Sequence, residues 1–543
     1  MLYKNVKAGQ TYLDLLPDEK KKSYVCASID HHFVSLNREI TKDGDYEIEY
    51  YGLNHFWGSK IYEASLRYLI SMALKIISPK NEFRFYYNIS RTLFCKSVNK
   101  NFVVTTKFVD KLNETLEKLI ELDIPFEFKK VSKEEANEIY AKLGFKDKSK
   151  VFKYRKESYV HFSQAKYNDL VYSDYMYSLL VPSSGYLKSF KIKAYNPGFV
   201  IQLPRSECQG EIPEFVDERK YAKTLQSSSH WQESLSLDTL SNINAFLRTH
   251  SPMELINVCE ARFNNMMADL GKKIVEVEEP IRLICIAGPS SSGKTSFSNR
   301  LIFELMAKGL KPIRISMDDY FIPFAQLKPN TSLESIDALD VELFDKQMDA
   351  LIHGESVQIP IYDFKSHDRK FGKSISLDEN QPIIIEGIHA LNNLICQNIP
   401  AAQKYKIYIA PHSQINVDNH TPVSMTEMRL LRRIARDIRT RNTSASRTIE
   451  MWPSVREGEF KYIYPTEENA NFIFDTFMPY ELNVLRNIVM PELDKISFEE
   501  EGYQLALRLK NIIKYCLPID SDDIPCNSLM REFVGGSSFK DAR

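Results

Sequence analysis

The spacing of apolar residues changes along the chain and predicts two different regions in its first half. Residues 1–52 hold short β-like runs separated by polar turns, which predicts a small β-rich module. Apolar residues then recur at helical spacing from 58 to 77, and strand-like runs alternate with turns from 154 to 204. This mixture predicts an α+β domain over residues 53–225.

The second half of the chain has the pattern of a parallel sheet. Residues 226–275 turn polar and then show one apolar helical face, so we predict a helical connector there. From 276 to 520, short apolar runs alternate with helical stretches, which is typical of an α/β domain with a doubly wound parallel sheet. These runs are 283–287, 313–317, 383–385 and 407–409. The polar, glycine-containing residues 521–543 predict a loose tail.

Composition narrows the class of protein. The 543 residues are 43% hydrophobic and 26% charged, as in an ordinary globular chain. Lys plus Arg, 71, nearly equals Asp plus Glu, 72, and this balance argues against a nucleic-acid partner. The eight cysteines include no C-x-x-C pair, no apolar run reaches membrane-spanning length, and the N-terminus lacks the apolar core of a signal peptide. We therefore expect a cytoplasmic protein with no membrane partner.

One motif predicts a nucleotide site. Residues 288–295, GPSSSGKT, fit G-x-x-x-x-G-K-[ST] directly after the apolar run 283–287 and before a helical stretch. In such a loop, backbone N–H groups face phosphate oxygens, Lys294 reaches the β- and γ-phosphates, and the Thr295 hydroxyl binds magnesium. We predict ATP and Mg²⁺ as cofactors. The predicted nucleotide-binding residues are Gly288, Pro289, Ser290, Ser291, Ser292, Gly293, Lys294, Thr295 and Ser296.

Two carboxylates follow other predicted strands. Asp318 comes directly after the run 313–317, and Glu386 directly after the run 383–385. Because ligands gather at the carboxyl ends of parallel strands, both should face the phosphate loop. We predict that Asp318 is the catalytic base and a magnesium ligand, and that Glu386 and Thr295 complete the magnesium site. Taken alone, Asp318 could instead cap the next helix, a role that we assign to Asp319.

Seven arginines lie between residues 429 and 447. Arg429, Arg433 and Arg436 share one helical face, and the polar stretch 442–446 predicts a mobile loop after them. Such a helix can act as a lid that neutralises a transferring phosphoryl group and excludes water. A solvated basic helix is the alternative. The arginines are Arg429, Arg432, Arg433, Arg436, Arg439, Arg441 and Arg447.

Together these motifs resemble the uridine kinase family, within the group of uridine kinases and phosphoribulokinases. The resemblance covers about 281–477. It is carried by the phosphate loop, SMDDYF at 316–321, PIYDFKSHDR at 360–369, IEG at 385–387 and RLLRRIARDI at 429–438. The resemblance implies a P-loop kinase.

The family resemblance also implies roles for individual residues. By similarity, Tyr362 and His367 line a base pocket and Arg433 grips ribose. An aromatic ring and an imidazole supply stacking and a directional hydrogen bond, which suit a pyrimidine. Glu334 stands where the family usually has Asp to hold the ribose hydroxyls. The implied catalytic residues are Lys294, Asp318, Arg436 and Arg441, the two arginines acting on ATP phosphates.

The N-terminal half resembles a different family, the threonyl-tRNA synthetases. Residues 1–52 are similar to their TGS module and 53–225 to their second additional domain, through VSLNREI at 34–40 and VPSSGYLK at 181–188. In that family the second domain carries two His, a Cys and a further His that can hold a metal. Here the matching positions are Glu63, Arg67, Met176 and Leu180. We therefore predict that this domain binds no zinc and edits no aminoacyl-tRNA.

The sequence favours a nucleoside kinase that transfers the ATP γ-phosphoryl group to the 5′-hydroxyl of uridine or cytidine. A kinase for another small hydroxyl acceptor, such as a sugar phosphate, is the first alternative. An RNA-binding or regulatory protein with a nucleotide-sensing kinase domain is the second. The sequence leaves open whether identical chains associate into a homo-oligomer.

Overall fold

The structure, a computed structural model, describes residues 1–329, 331–332, 334–363, 366–412 and 414–540. Its three large buried cores are one in the N-terminal half and two in the C-terminal half, which lie on opposite faces of a parallel sheet.

Short strands make up the first module. They are β1 (Leu2–Val6), β2 (Cys26–Ile29), β3 (His32–Val34), β4 (Gly44–Glu47) and β5 (Glu49–Tyr51). Strand β1 pairs with β4, while β3, β2 and β5 form a second small sheet. The β-rich pattern is confirmed, and the likeness to a TGS module stays a prediction.

A long central helix organises the region that follows. The elements are α1 (Phe56–Ile77), β6 (Phe83–Tyr87), β7 (Leu93–Ser97), α2 (Thr106–Glu121), β8 (Glu127–Ser132), α3 (Lys133–Leu143), α4 (Lys146–Phe152), β9 (Tyr159–Tyr167), β10 (Leu170–Asp174), β11 (Lys191–Tyr195) and β12 (Gly198–Gln202). Helix α1 is buried without interruption from Ile61 to Leu74. The predicted helix is confirmed. Two charged side chains are buried with it: Glu63, which pairs with Arg205 at 2.6 Å, and Arg67.

The two N-terminal regions share their core. Buried apolar side chains from Val6 in β1 to Leu203 after β12 belong to one cluster. The boundary near residue 52 therefore separates two sequence patterns within one packed body, and the domain limits given above stay predictions. None of the helices in the described ranges combines the length and apolar composition that a membrane crossing requires.

The C-terminal half is built on a parallel sheet. Helices α5 (Arg219–Ser234), α6 (Leu240–Thr249) and α7 (Pro252–Val275) lead into it. Its elements are β13 (Leu283–Ala287), α8 (Lys294–Ala307), β14 (Ile313–Ser316), α9 (Val341–Ile352), β15 (Val357–Asp363), β16 (Asp368–Ile375), β17 (Ile383–Glu386), β18 (Lys404–Ala410), β19 (Asn416–Asp418), β20 (Thr421–Pro422), α10 (Met425–Arg441), α11 (Ala445–Gly458), β21 (Phe472–Asp475), α12 (Glu481–Leu493), α13 (Tyr503–Ile513) and α14 (Arg531–Val534).

Five strands form this sheet in the order β14, β17, β13, β18, β21, and all neighbours are parallel. Strands β13 and β17 are buried along their whole length, because helices cover both faces. Continuous isoleucine-rich runs such as 383–385 suit that environment better than an alternating pattern. The predicted α/β fold with a parallel sheet is confirmed.

The segment 521–540 is packed, so the predicted loose tail is wrong for these residues. Leu529, Met530 and Phe533 are fully buried in the same cluster as helices α7, α8 and α10. Three apolar side chains within five positions are enough to fix a short segment once a neighbouring groove accepts them. The last part of the predicted tail, 541–543, lies outside the described residues.

A hairpin of the C-terminal half docks on the N-terminal half. Strands β19 and β20 pair with each other, and the Asn419 carbonyl oxygen between them accepts the Phe85 N–H at 2.9 Å. Asn416 Nδ2 donates to the Phe85 carbonyl oxygen at 2.8 Å. Arg67, in α1, donates to the His420 carbonyl oxygen. The two halves are thus joined by backbone as well as side-chain hydrogen bonds.

Candidate active site

The phosphate loop connects the central strand of the sheet to a helix. Strand β13 ends at Ala287 and α8 begins at Lys294, so strand, loop and helix follow in the predicted order. Gly288 passes so close to β18 that a Cβ there would lie 2.1 Å from the Ile409 carbonyl oxygen. Gly293 has φ +93°, in the left-handed region that favours glycine. The backbone therefore requires both glycines of the motif.

Several polar groups of this loop are buried without protein partners. The hydroxyls of Ser291, Ser292 and Ser296 find no hydrogen-bond partner among the residues that the structure describes. Lys294 Nζ bends back and donates to the Gly288 carbonyl oxygen at 2.9 Å. Buried polar groups are normally paired. Unpaired hydroxyls at the start of a helix therefore fit an anionic ligand such as the phosphates of a nucleotide.

Asp318 and Glu386 lie at the ends of neighbouring strands. Ser316 at the end of β14 pairs with Glu386 at the end of β17, and Asp318 follows two residues later. Burial and the negative charge of Asp318 raise the pKa of Glu386 to about 7. Arg314, whose Nη1 lies 3.5 Å from Glu386 Oε1, and Lys294 oppose this rise. The two acids and Lys294 therefore belong to one electrostatic group.

The environment of Asp318 fits the predicted chemistry. Part of the Asp318 side chain is exposed, yet the protein packed around its carboxyl group removes water from it and so raises its pKa. Three nearby cations lower it, those of Lys294, Arg441 and Arg436. In the described ranges, no three His, Cys, Asp or Glu side chains form a ready metal site. Mg²⁺ commonly binds through one or two carboxylates, water and substrate phosphates, so Thr295, Asp318 and Glu386 fit that pattern.

One buried carboxylate organises three of the predicted arginines. Asp437 in α10 is fully buried, and its Oδ1 accepts from Arg436 Nη2 at 2.8 Å. Its Oδ2 lies 3.3 Å from Arg433 Nε, and its Oδ1 lies 3.6 Å from Arg441 Nε. Arg433 Nη1 also donates to the Ser290 hydroxyl at 2.8 Å. Asp437 therefore holds these guanidinium groups beside the phosphate loop.

Two other arginines have structural roles, which corrects part of the predicted lid. Arg429 and Arg432 are fully buried. Arg429 pairs with Glu459, and Arg432 Nε donates to Glu481 at 2.6 Å. Arg429 Nε also donates to the Ser290 carbonyl oxygen at 2.9 Å, which braces the phosphate loop. Buried arginines held in ion pairs cannot swing with a lid.

The predicted loop after this helix is shorter than residues 442–446, and its mobility stays a prediction. Helix α10 ends with Asn442 in the left-handed conformation, and α11 begins at Ala445 with Ser444 as its N-cap. The connection is therefore a short capped turn. Arg447 lies in the first turn of α11, exposed and paired with Glu450 at 3.0 Å.

The predicted base-pocket residues lie on the β15–β16 hairpin. Tyr362 is buried, and its N–H donates to Asp319 Oδ1 at 3.2 Å. The sequence predicts that Asp319 caps the next helix, and this is wrong. Ser316 precedes the first turn of that helix, so its hydroxyl is placed to accept the Asp318 N–H. His367 is exposed at the hairpin turn, its ring 5.8 Å from the Phe324 ring. Thus Asp319 connects Tyr362 to the segment that follows β14, whereas His367 lies on the exposed edge of the β15–β16 hairpin.

Glu334 lies close to Arg433 and Lys294 beside the phosphate loop. Burial raises its pKa, as does the charge of Glu459, while Arg433 and Lys294 lower it. A Cβ on Gly458 would lie 2.6 Å from Glu334 Cβ, so only glycine leaves room there. His389, almost fully buried, places its Nε2 3.0 Å from the Glu334 carbonyl oxygen.

Other residues of this site are not predicted from the sequence. Asp437 has a signal in the sequence, because it stands four residues after Arg433 and four before Arg441 on one helix. His389 follows Glu386 in the same strand-end segment. Glu532, whose carboxylate contacts the start of α8, has no local signal because it lies in the segment predicted to be loose.

Residues 283–482 are similar to known proteins. A family model described as "Phosphoribulokinase / Uridine kinase family" matches residues 283–482. Among solved structures, that of a possible uridine kinase from Bacillus stearothermophilus aligns at 22% identity with a TM-score of 0.24, over 27% of this chain and 80% of its own.

Two relatives are more similar in sequence. The uridine kinase of Ureaplasma parvum is 31% identical over 202 residues, 36% of this chain and 88% of that protein. The uridine kinase of Macrococcus caseolyticus is 30% identical over 197 residues, 35% of this chain and 86% of that protein. Through residues 283–482, the chain belongs to the phosphoribulokinase/uridine kinase family of phosphotransferases.

Proposed function

We propose that this protein is an ATP- and magnesium-dependent nucleoside kinase that phosphorylates the 5′-hydroxyl of uridine or cytidine. The observation that carries the proposal is the convergence of Lys294, Asp318 and Glu386 with the arginines held by Asp437. Phosphoryl transfer needs little covalent chemistry from the protein and depends on positioning and charge. This group of residues supplies both.

On this proposal the phosphates of ATP lie along residues 288–296. The loop N–H groups and the Lys294 ammonium hold the β- and γ-phosphates, and Arg436 and Arg441 neutralise the charge that spreads over the transferring group. Magnesium, when bound by Thr295, Asp318 and Glu386, would neutralise the same oxygens. The raised pKa of Asp318 makes its carboxylate a stronger base than an ordinary aspartate.

The reaction itself is a single in-line displacement. The 5′-hydroxyl oxygen attacks the γ-phosphorus while Asp318 accepts the hydroxyl proton, and the bond between the γ-phosphorus and the bridging oxygen breaks. The products are a nucleoside monophosphate and ADP. Glu334 would hold the ribose hydroxyls with Arg433, and Tyr362 and His367 would contact the base.

The choice of a pyrimidine nucleoside rests on the relatives, which are uridine kinases. The test incubates the full chain with ATP, Mg²⁺ and one acceptor at a time: four ribonucleosides and a set of sugar phosphates. Mass spectrometry of the products should find UMP or CMP at the highest rate, and the Asp318→Asn variant should form neither. Faster turnover of a sugar phosphate would support the alternative kinase. No turnover, together with a mobility shift of transfer RNA, would support the regulatory alternative.

A further inference from the structure

The C-terminal segment places a carboxylate on the helix that begins the phosphate site. Glu532 Oε2 accepts the N–H of Ser296 at 3.0 Å. Ser296 is the third residue of α8, so its N–H has no partner within the helix. Unpaired N–H groups at a helix N-terminus are where helices bind phosphate, since the helix dipole favours negative charge there. A protein carboxylate therefore stands where a phosphate oxygen of a bound nucleotide would be expected.

The backbone around Glu532 is firmly held. Arg439 Nη2 donates to the Glu532 carbonyl oxygen at 2.8 Å. Phe533 is fully buried, with its ring 5.0 Å from the Arg432 guanidinium. Leu529 packs against the phosphate loop so closely that a Cβ on Gly293 would lie 2.7 Å from its side chain. The contact with Ser296 is therefore built into the packing of the segment.

We propose that Glu532 is a residue of the phosphate-donor site, an internal anion that occupies the Ser296 N–H until the phosphates of a nucleoside triphosphate displace it. The inference rests on the proposed function only in taking a nucleoside triphosphate as the donor. One N–H cannot serve two anions, so each binding event must move the Glu532 carboxylate away. Because Arg439 fixes the backbone, rotation of the Glu532 side chain is sufficient, and the rest of the segment stays in place.

The same contact adds negative charge to a site that must accept more. Ser296 directly follows Lys294 and Thr295, so the Glu532 carboxylate stands at the same helix start as those two residues. A triphosphate entering beside this carboxylate meets repulsion until Glu532 turns outward. Arg439, which already contacts the Glu532 backbone, offers a cation to the displaced carboxylate. Glu532 thus lowers the affinity of the site for the phosphate donor.

The test measures ATP binding to the full chain by isothermal titration calorimetry, without an acceptor. Glu532→Gln removes the charge and keeps the size of the side chain, so we expect the Kd for ATP to fall about tenfold. Glu532→Ala should give a change in the same direction. Asp522→Asn is the matched control, because it removes one exposed carboxylate from the same segment and should leave the Kd unchanged. Thermal melting confirms that each variant is folded.

The outcomes separate this inference from the proposed function. Tighter ATP binding by both Glu532 variants supports the inference. Equal or weaker binding by them overturns it, and the proposed function still stands if the wild-type protein forms a nucleoside monophosphate. If neither the wild-type protein nor any variant binds ATP, both proposals are wrong.

Discussion

Two buried polar regions of this molecule follow opposite rules. At the docking hairpin, buried charges of opposite sign lie close together: Lys148 Nζ is 2.9 Å from Asp174 and 3.0 Å from Asp418. His420 Nδ1 lies 2.5 Å from Asp174. Burial would raise the pKa of Asp174, but Lys148 and His420 hold it well below its usual range.

At the phosphate loop the buried groups are left unsatisfied. Three serine hydroxyls have no partner within the described ranges, and the pKa values of Asp318 and Glu386 are raised. An unpaired buried polar group is unfavourable unless a ligand completes it. The difference teaches that buried ion pairs suit a contact between two halves of a chain, whereas buried hydroxyls without partners suit a ligand.

Removing the loop lysine should test the incomplete region most severely. Lys294→Ala takes away a positive charge that the proposed reaction needs, and we expect kcat to fall roughly a hundredfold or more. The fold should persist, because the hydrogen bonds that Lys294 Nζ forms with described residues go to carbonyl oxygens of its own loop. Steady-state kinetics and circular dichroism check the two expectations. Lys308→Ala, just after the same helix, is the control, and wild-type turnover by Lys294→Ala would refute the assignment.

At the ion pairs of the docking hairpin, we expect a substitution to change stability. Lys148→Met leaves Asp174 and Asp418 buried without their shared cation, and breaking such a pair costs about 3–5 kcal/mol. Urea unfolding should show a correspondingly lower free energy of unfolding. Lys150→Met, on the exposed side of the same helix, should have almost no effect. Equal stability of the two variants would mean that the cluster does not join the halves.

Glu467 is a third kind of buried acid, which forms no salt bridge within the described part of the chain. Burial and the charge of Glu218 raise its pKa to about 8 from 4.5. The folded protein therefore keeps a proton that the unfolded chain releases, so this contribution to stability is present below pH 4.5 and is lost as pH rises to 8.

Glu467→Gln removes this titration. The free energy of unfolding of the variant minus that of the wild-type protein should increase by about 1 kcal/mol per pH unit between pH 5 and pH 8. Denaturation series at several pH values measure the difference. Parallel curves for the two proteins would show that Glu467 titrates normally.

The smallest effect is expected for the two residues of the proposed base pocket. Tyr362→Ala and His367→Ala should raise the KM for the nucleoside about tenfold and leave the KM for ATP unchanged, because only the acceptor would contact these side chains. Phe371→Ala, an exposed residue on the same hairpin, serves as the control. Equal damage to both Michaelis constants would point to a structural role for the hairpin.

Local patterns explain what the sequence could predict. The phosphate loop, Asp318 and Glu386 can be predicted because each lies at or just after the end of an apolar strand, and the parallel sheet brings strand ends together. The roles given to these residues stay predictions, as do the domain limits.

Long-range partners explain what the sequence could not predict. Arg429 and Arg432 look like exposed lid residues until Glu459 and Glu481, 30 and 49 positions away, are seen to bury them. Glu532 meets Ser296 across 236 positions, and no periodic pattern records such a contact. Its short helix, Arg531–Val534, is also too brief to show an apolar period.

The docking hairpin has a consequence for how the protein can be divided. Strand β20 ends at Pro422, and the helix that carries the phosphate-site arginines begins at Met425. Excising the C-terminal half as a separate enzyme would strip the N-terminal partners from this hairpin and expose the buried Asp418 and His420 beside that helix. The N-terminal half therefore shields from water the segment just before helix α10, and we expect the C-terminal half to be less stable when it is expressed alone.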